Sequence, residues 1–321
     1  MSTAQFERRG FLQAAGGVAA GLALGAGGVT HAAERKRVLR VAHLTDVHVQ
    51  PELRAPEGLA ACLRHLQDSR DKPNLILSGG DHVMDCVRQP RERTQTQWDL
   101  WQRISRAENS IPVRSVIGNH DIWGWNKTKS GSTGNEPDFG KKWASDVLHL
   151  DRTYYSFDQA GWHFIALDGI QPMEPEGAFY GALDEAQLDW LARDLASVPK
   201  TTPILIWSHI PIISALAPLI NSKAPKTEPI PIEAGHIHWD AVQVLALLAK
   251  HPNVKACLSG HLHRIDHVEL KGIHFYCNGA VSGAWWRGKN DGFDEGYAVV
   301  DLFDDGTLTC KYTPYGWLAN S

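Results

Sequence analysis

Five short stretches of this sequence place Asp, Asn or His directly after an apolar run: Thr45-Asp46-Val47-His48, Gly79-Gly80-Asp81-His82, Gly118-Asn119-His120-Asp121, Ser208-His209 and Gly260-His261-Leu262-His263. Carboxylate, imidazole and amide oxygen are ligands for zinc, iron and manganese, and no thiolate joins them that would favour a structural zinc site. In an extended segment residues i and i+2 point the same way, so Asp46 and His48 can reach one ion together. His261 and His263 can likewise turn to one side, each to a different ion. One such tip would mean little. Five in succession form a cluster whose donors fit two adjacent divalent metals.

The elements that must carry these tips alternate in type. Val38–Leu44, Asn74–Leu77, Val113–Ile117, Pro203–Trp207 and Val254–Leu258 read as buried strands. Between them Glu57–Ser69, Thr94–Ala107, Asp138–His149, Asp184–Ala196 and His236–Lys250 read as helices, with Asp184 and Gln187 spaced as a helix N-terminal cap. Tyr154–Leu167, His267–Cys277 and Tyr297–Tyr312 read as hairpins, turning near Ala160-Gly161, Lys271-Gly272 and Asp304-Asp305-Gly306. Strand–helix alternation with added hairpins predicts an α/β fold with helices covering a parallel or mixed sheet. All five tips then fall at the carboxyl ends of strands, where open α/β sheets place their sites. Ile122–Lys142, Ile170–Gly181 and Pro211–Gly235, the last with five prolines, read as loops.

The ordered set D-x-H, G-D, G-N-H-D, a lone strand-end His and G-H-x-H resembles the calcineurin-like metallophosphoesterases, over roughly residues 40–265. The resemblance implies a four-layer α-β-β-α sandwich on two mixed β-sheets, filling a domain over 38–315. It implies one metal held by Asp46, His48, Asp81 and His263, and a second held by Asp81, Asn119, His209 and His261, with Asp81 bridging. The implied cofactors are two divalent or transition-metal ions, Fe, Mn or Zn. The implied reaction is hydrolysis of a phosphate ester, a phosphodiester before a monoester, by a metal-bridging hydroxide attacking phosphorus in line. His120 is left free to donate a hydrogen bond or proton to the ester oxygens or leaving group, with Asp121 as support for its imidazole. Some relatives carry a second Asp three residues after the bridging one. Met84 stands there and Asp85 follows, which leaves an orienting role for Asp85 open. The acid phosphatase branch usually has Tyr at that place, so Met84 weighs against it. A phosphomonoesterase or nucleotidase of the same family is the alternative. A non-catalytic interaction protein on the same fold is a further one, disfavoured because all seven ligands and His120 are present.

Other residues admit plainer readings. His236-Ile237-His238 copies the His261 spacing but lies at the start of an expected helix with no strand before it, which suggests a surface or capping feature; His43 is expected to be packed, and His82 to point away from the metals. Trp285-Trp286-Arg287, in a glycine-rich stretch, suggests a substrate wall, with aromatic faces for a base or acyl group and Arg287 for a phosphate oxygen. Trp123 and Trp125 are placed to line the same pocket from the opposite side. The five cysteines match no zinc motif, and Cys257 and Cys277 are the one pair that neighbouring strands would bring together.

Composition sets the class. With 321 residues, 43% hydrophobic, 21% charged and net charge −4, the chain can bury a large core and shows no basic surface for a nucleic-acid polymer. Residues 1–33 read as a signal peptide: Arg8-Arg9-Gly10-Phe11-Leu12 resembles the twin-arginine type, a Gly/Ala-rich stretch follows, and Thr30-His31-Ala32 offers small residues for cleavage. Its glycines make it a poor membrane anchor, and no cysteine precedes Cys62 for a lipid. The expected partners are the twin-arginine export machinery and a small phosphate ester, and the expected location is periplasmic or otherwise extracytoplasmic.

Overall fold

The computed structural model describes residues 35–220 and 231–319; the signal-peptide reading falls outside them. β1 (Arg37–Leu44), α1 (Ala55–Gln67), β2 (Leu75–Ser78), α2 (Arg91–Glu108) and β3 (Val113–Ser115) open the chain, followed by a 3-10 turn at Asn119–Asp121. Next come α3 (Lys127–Ser130), α4 (Lys141–Val147), the hairpin β4 (Tyr155–Gln159) and β5 (Trp162–Ala166), then β6 (Ile170–Met173) and β7 (Ala178–Gly181). α5 (Glu185–Ser197), β8 (Ile204–Trp207), α6 (Ala241–Leu248), β9 (Val254–Ser259), β10 (Asp266–Leu270), β11 (Ile273–Cys277), β12 (Gly296–Phe303) and β13 (Leu308–Pro314) complete it. Two mixed sheets result, in the orders β13-β12-β1-β2-β3 and β10-β11-β9-β8-β5-β4.

The layers follow from alternation along the strands. Val41, Leu75, Leu77, Phe164, Leu205, Trp207 and Leu258 pack between the two sheets. Ala42 and Ile76, one residue out of phase, turn outward to Leu59, Leu63 and Leu66 of α1 and to Trp98 and Trp101 of α2. On the second sheet Ile165, Ile204 and Ile206 turn outward to Leu191 and Leu195 of α5 and Val244 and Leu248 of α6. The architecture is the four-layer α-β-β-α sandwich. α5 starts as expected, with the Asp184 carboxylate accepting from Gln187 N at 2.7 Å. The β4–β5 and β10–β11 turns place Ala160-Gly161 and Lys271-Gly272 at positive φ, the conformation that closes tight hairpins. Among the described residues no helix is long and apolar enough to cross a membrane.

Three expectations need correction. Residues 170–181 form the β6–β7 hairpin, hidden in sequence by two prolines and a lack of alternation. α6 starts at Ala241 because the preceding residues turn and are tied to β7 and Pro211, with Trp239 N donating to Gly181 O and His238 N to Pro211 O. Cys257 lies opposite Phe275 and Cys277 opposite Ser259, and all five thiols are free.

The loop after β11 docks on α1 through Trp286, which is 1% exposed and belongs to the core beside Leu59 and Leu63. Gly58 makes room for it: a Cβ there would overlap the six-membered ring of Trp286. The indole Nε1 donates to His48 O at 3.0 Å, so this packing also holds the first ligand loop. Gly58→Ala should therefore overpack the site and cost about 1–3 kcal/mol. Thermal denaturation checks this, and an unchanged midpoint would show that the indole has room to shift.

Candidate metal centre

Asp46 and His48 follow β1, Asp81 follows β2, Asn119 follows β3, His209 follows β8, and His261 and His263 follow β9. Parallel pairing of β1 with β2, β2 with β3, and β8 with β9 puts these ends along one edge. Backbone bonds stitch the tips together: Asp46 N to Gly80 O at 3.1 Å, His48 N to Asp81 O at 2.9 Å, and Gly260 N to His209 O at 3.0 Å. The approach is so close that a Cβ on Gly118 would overlap Asp81, and one on Gly260 would overlap Thr45 and Asp46. Five of the seven expected ligands, Asp46, His48, Asp81, His261 and His263, have φ between 48° and 70°. Non-glycine residues adopt that region rarely and at a cost, and such strain clusters at functional sites.

The expected ligands gather into two groups, Asp46, His48 and His263 in one and Asp81, His209 and His261 in the other, and His120 joins His48 and Asp81 in a third that overlaps both. His48 Nε2 lies 3.0 Å from His263 Nε2, His263 Nε2 3.3 Å from Asp46 Oδ1, and His48 Nε2 3.5 Å from Asp81 Oδ2. In the second group His209 Nε2 lies 3.2 Å from Asp81 Oδ2, 3.0 Å from Asn119 Oδ1 and 3.1 Å from His261 Nδ1. Asp81 Oδ2 therefore faces both groups. Ligands about 2.0–2.2 Å from one ion stand roughly 3.0–3.5 Å from each other, so these spacings suit metal coordination.

Charge points the same way. Burial alone would raise both carboxyls, but His263 beside Asp46 and His209 beside Asp81 outweigh it and hold them below the usual carboxylate range. Burial pushes His48 well down and His261 to about 3, leaving their lone pairs open. For His209 burial is outweighed by the Asp81 charge, and its pKa rises to about 9. A cation beside Asp81 would take over from that proton. Two carboxylates, four imidazoles and an amide oxygen, with no thiolate, fit two adjacent transition-metal ions.

Further groups fix the donors. His209 Nδ1 donates to Gly79 O at 2.8 Å and His263 Nδ1 to Gly283 O at 2.6 Å, which turns each Nε2 toward the centre. Thr45 Oγ1 and His261 N donate to Asp46 Oδ2, at 2.6 and 2.9 Å. These backbone carbonyls and the threonine were not picked out in the sequence. A carbonyl has no residue-type signature, and only the Thr45-Asp46 adjacency was there to be read.

His120 brings a ring nitrogen within 4.8 Å of donors on His48 and Asp81, and its ring lies 4.7 Å from that of His48. Its Nδ1 donates to Met84 O. Asp121 does not support it. That carboxylate is fully buried and accepts from Gly118 N and His82 N, each at 2.8 Å, and pairs with His82 Nδ1 at 2.8 Å. The 3-10 turn carries consecutive side chains to different sides, so Asp121 braces the loops of Asp81 and Asn119 instead. His82 points away, with Nε2 on Ser78 Oγ at 2.7 Å. Asp85 does not orient His120 either; its Oδ1 accepts from Arg88 N at 3.1 Å.

The Trp285–Arg287 wall is split. Trp285 stands over the centre, its ring 4.4 Å from that of His263 and 6.0 Å from that of His48. Trp286 is the core residue described above and cannot contact a substrate, while Arg287 is exposed. Opposite, the Phe179 ring lies 5.8 Å from that of His261. Trp123 is buried against Trp143, whereas Trp125 lines a cavity of about 630 Å³ with Phe139 and Ala178. His43 is packed, with Nδ1 2.9 Å from Asn278 Nδ2. His238 is not a surface residue: it is 1% exposed and pairs with Asp240 at 3.1 Å.

Two outcomes follow. Metal content by elemental analysis should approach two equivalents per chain and fall in Asp81→Asn, whose amide cannot bridge as a carboxylate does. Asp121→Ala leaves buried donors without an acceptor and should cost about 3 kcal/mol or more, against about 1 kcal/mol or less for Asp85→Ala. Equal losses in a denaturant titration would refute the bracing role.

Comparison with known proteins agrees with this geometry. The family model for calcineurin-like phosphoesterases matches residues 39–264. A 3′,5′-cyclic-nucleotide phosphodiesterase of Nostoc sp. is 23% identical over 294 residues, covering 86% of this chain and 92% of the relative. A probable cyclic nucleotide phosphodiesterase of Synechococcus sp. is 27% identical over 233 residues, covering 70% and 74%. The crystal structure of a dimetal phosphatase from Danio rerio superposes with a TM-score of 0.59 at 19% identity, covering 87% of this chain and 97% of that one. The strand-end donors and the sandwich that carries them accord with that match, and the chain belongs to the calcineurin-like phosphoesterase family.

Proposed function

We propose that this metal-dependent phosphoric ester hydrolase acts on small phosphodiesters outside the cytoplasm. The observation that carries the reading is the position of Asp81 Oδ2, 3.5 Å from His48 Nε2 in one donor group and 3.2 Å from His209 Nε2 in the other. Asp46, His48, Asp81 and His263 would hold one ion, and Asp81, Asn119, His209 and His261 the second, with Fe, Mn or Zn as the metals the donors suit. Two bound ions supply an acidified water and positive charge against the phosphoryl oxygens.

The protein's own groups supply the rest. Met84 O accepts only, so His120 keeps a proton on Nδ1 and its other nitrogen is free to serve the ester. In the imidazolium form that nitrogen donates to the leaving oxygen. Trp285 offers a flat wall on the His263 side and Phe179 another on the His261 side. The Nostoc and Synechococcus relatives, named for cyclic-nucleotide phosphodiesterase activity, support a diester over a monoester. Export through the twin-arginine machinery rests on Arg8-Arg9 and the stretch that follows.

Metal-reconstituted protein should turn over bis(4-nitrophenyl) phosphate with a higher kcat/KM than 4-nitrophenyl phosphate; the reverse order would favour a monoesterase. His120→Ala should keep both metals and lose about 10²–10⁴ in turnover, with a smaller loss for a nitrophenolate leaving group than for an alkoxide. Metal loss in that variant, or equal impairment on both substrates, would end the general-acid role. Replacing Arg8 and Arg9 together with Lys should retain the precursor in the cytoplasm, and unchanged export would remove the twin-arginine reading.

A further inference from the structure

The hairpin β10–β11 gathers a second set of nitrogen and oxygen donors, none of them bonded to the metal centre. Register pairs His267 with Tyr276 and Glu269 with His274. Opposed residues of an antiparallel pair share a face, and so do residues i and i+2 of one strand, so all four side chains project together. His267 Nε2 lies 3.0 Å from His274 Nδ1, and Glu269 Oε2 lies 3.9 Å from that same nitrogen. His267 stacks on Tyr276 at 4.3 Å with 10° between the planes, which fixes the ring that presents Nε2.

We propose that His267, His274 and Glu269 form a further binding site for a late first-row divalent cation, represented by Zn²⁺. Two nitrogens 3.0 Å apart, each about 2.0–2.1 Å from one ion, subtend roughly 90–95° at it, an angle open to zinc, nickel and copper coordination. The imidazoles are carried on two hydrogen-bonded strands, so the backbone sets their approach. Glu269 is exposed and can rotate its carboxylate the remaining distance. Imidazole nitrogen suits such metals better than magnesium or calcium, so the site selects by donor type. Without metal the 3.0 Å contact is a shared proton between two imidazoles, and the cation replaces that proton. The hairpin is at the edge of its sheet, so water or a donor from another molecule can complete the coordination.

The test is calorimetric titration of the zinc-loaded holoenzyme with Zn²⁺. A third, weaker equivalent is expected. The double variant His267→Gln/His274→Gln should lose it while keeping two tight equivalents and wild-type turnover, which also shows that the fold is intact. Glu269→Gln should keep it with a dissociation constant raised severalfold. Asp81→Asn should lose the bridged centre and still bind zinc on the hairpin. Saturation of the wild type at two equivalents, or survival of the third in the double variant, would overturn the site.

Discussion

Two ionised carboxylates, Asp46 and Asp81, are buried side by side at the ends of adjacent parallel strands, and most of the site's construction answers that charge. An isolated buried carboxylate is costly unless paired and hydrogen-bonded. Here the compensation comes in layers. Thr45, His261 N and His120 N donate directly to the carboxylates, and His209 and His263 stand within 3.3 Å of them. What remains is a concentration of negative charge facing imidazole nitrogens, a donor set that cations suit. The positive φ angles at five ligand positions belong to the same problem, because an ordinary extended exit from each strand would not turn these side chains toward one point.

The sandwich matters to the site as a means of holding strand ends still. The core between the sheets, built from Phe164, Trp207, Leu77, Leu258 and their neighbours, fixes the spacing between the β1–β3 ends and the β8–β9 ends. One sheet supplies Asp46, His48, Asp81 and Asn119, and the other supplies His209, His261 and His263. Each donor group therefore draws from both sheets, and metal binding would tie them together at the edge where the core stops. Trp286 does the corresponding work on the flank, filling the space at Gly58 and bonding to His48 O.

Ligand types and their order are legible because coordination chemistry favours few residue types, and Asp, Asn and His stand at all five tips after strands that apolar runs make visible. Side-chain direction in irregular backbone is not. Trp285 and Trp286 are identical neighbours in sequence, yet consecutive φ angles of 52° and 69° send one over His263 and the other into the core. Asp121 departs from expectation for the same reason, since adjacency to His120 says little once a 3-10 turn rotates the pair apart. The orienting acceptor for His120 is a backbone carbonyl, and any residue at position 84 would carry one. The β6–β7 hairpin escaped because prolines and glutamates interrupt its pattern, although it delivers Phe179 to the centre.

That last point bears on how substrate choice is divided in this chain. The candidate ligand tips carry the donor types that a transition metal would require. The walls are supplied by segments with no ligand in them, Trp285 from the loop after β11 and Phe179 from the hairpin before α5. Each lies against a different ligand histidine, so each flanks a different donor group. A substrate bound between them would meet one aromatic face on each side, with the His120 ring beside that of His48. Coordination chemistry leaves a residue-type signature at the candidate ligand tips, whereas the walls carry none, so the tips can be read from sequence while the substrate's alcohol group cannot.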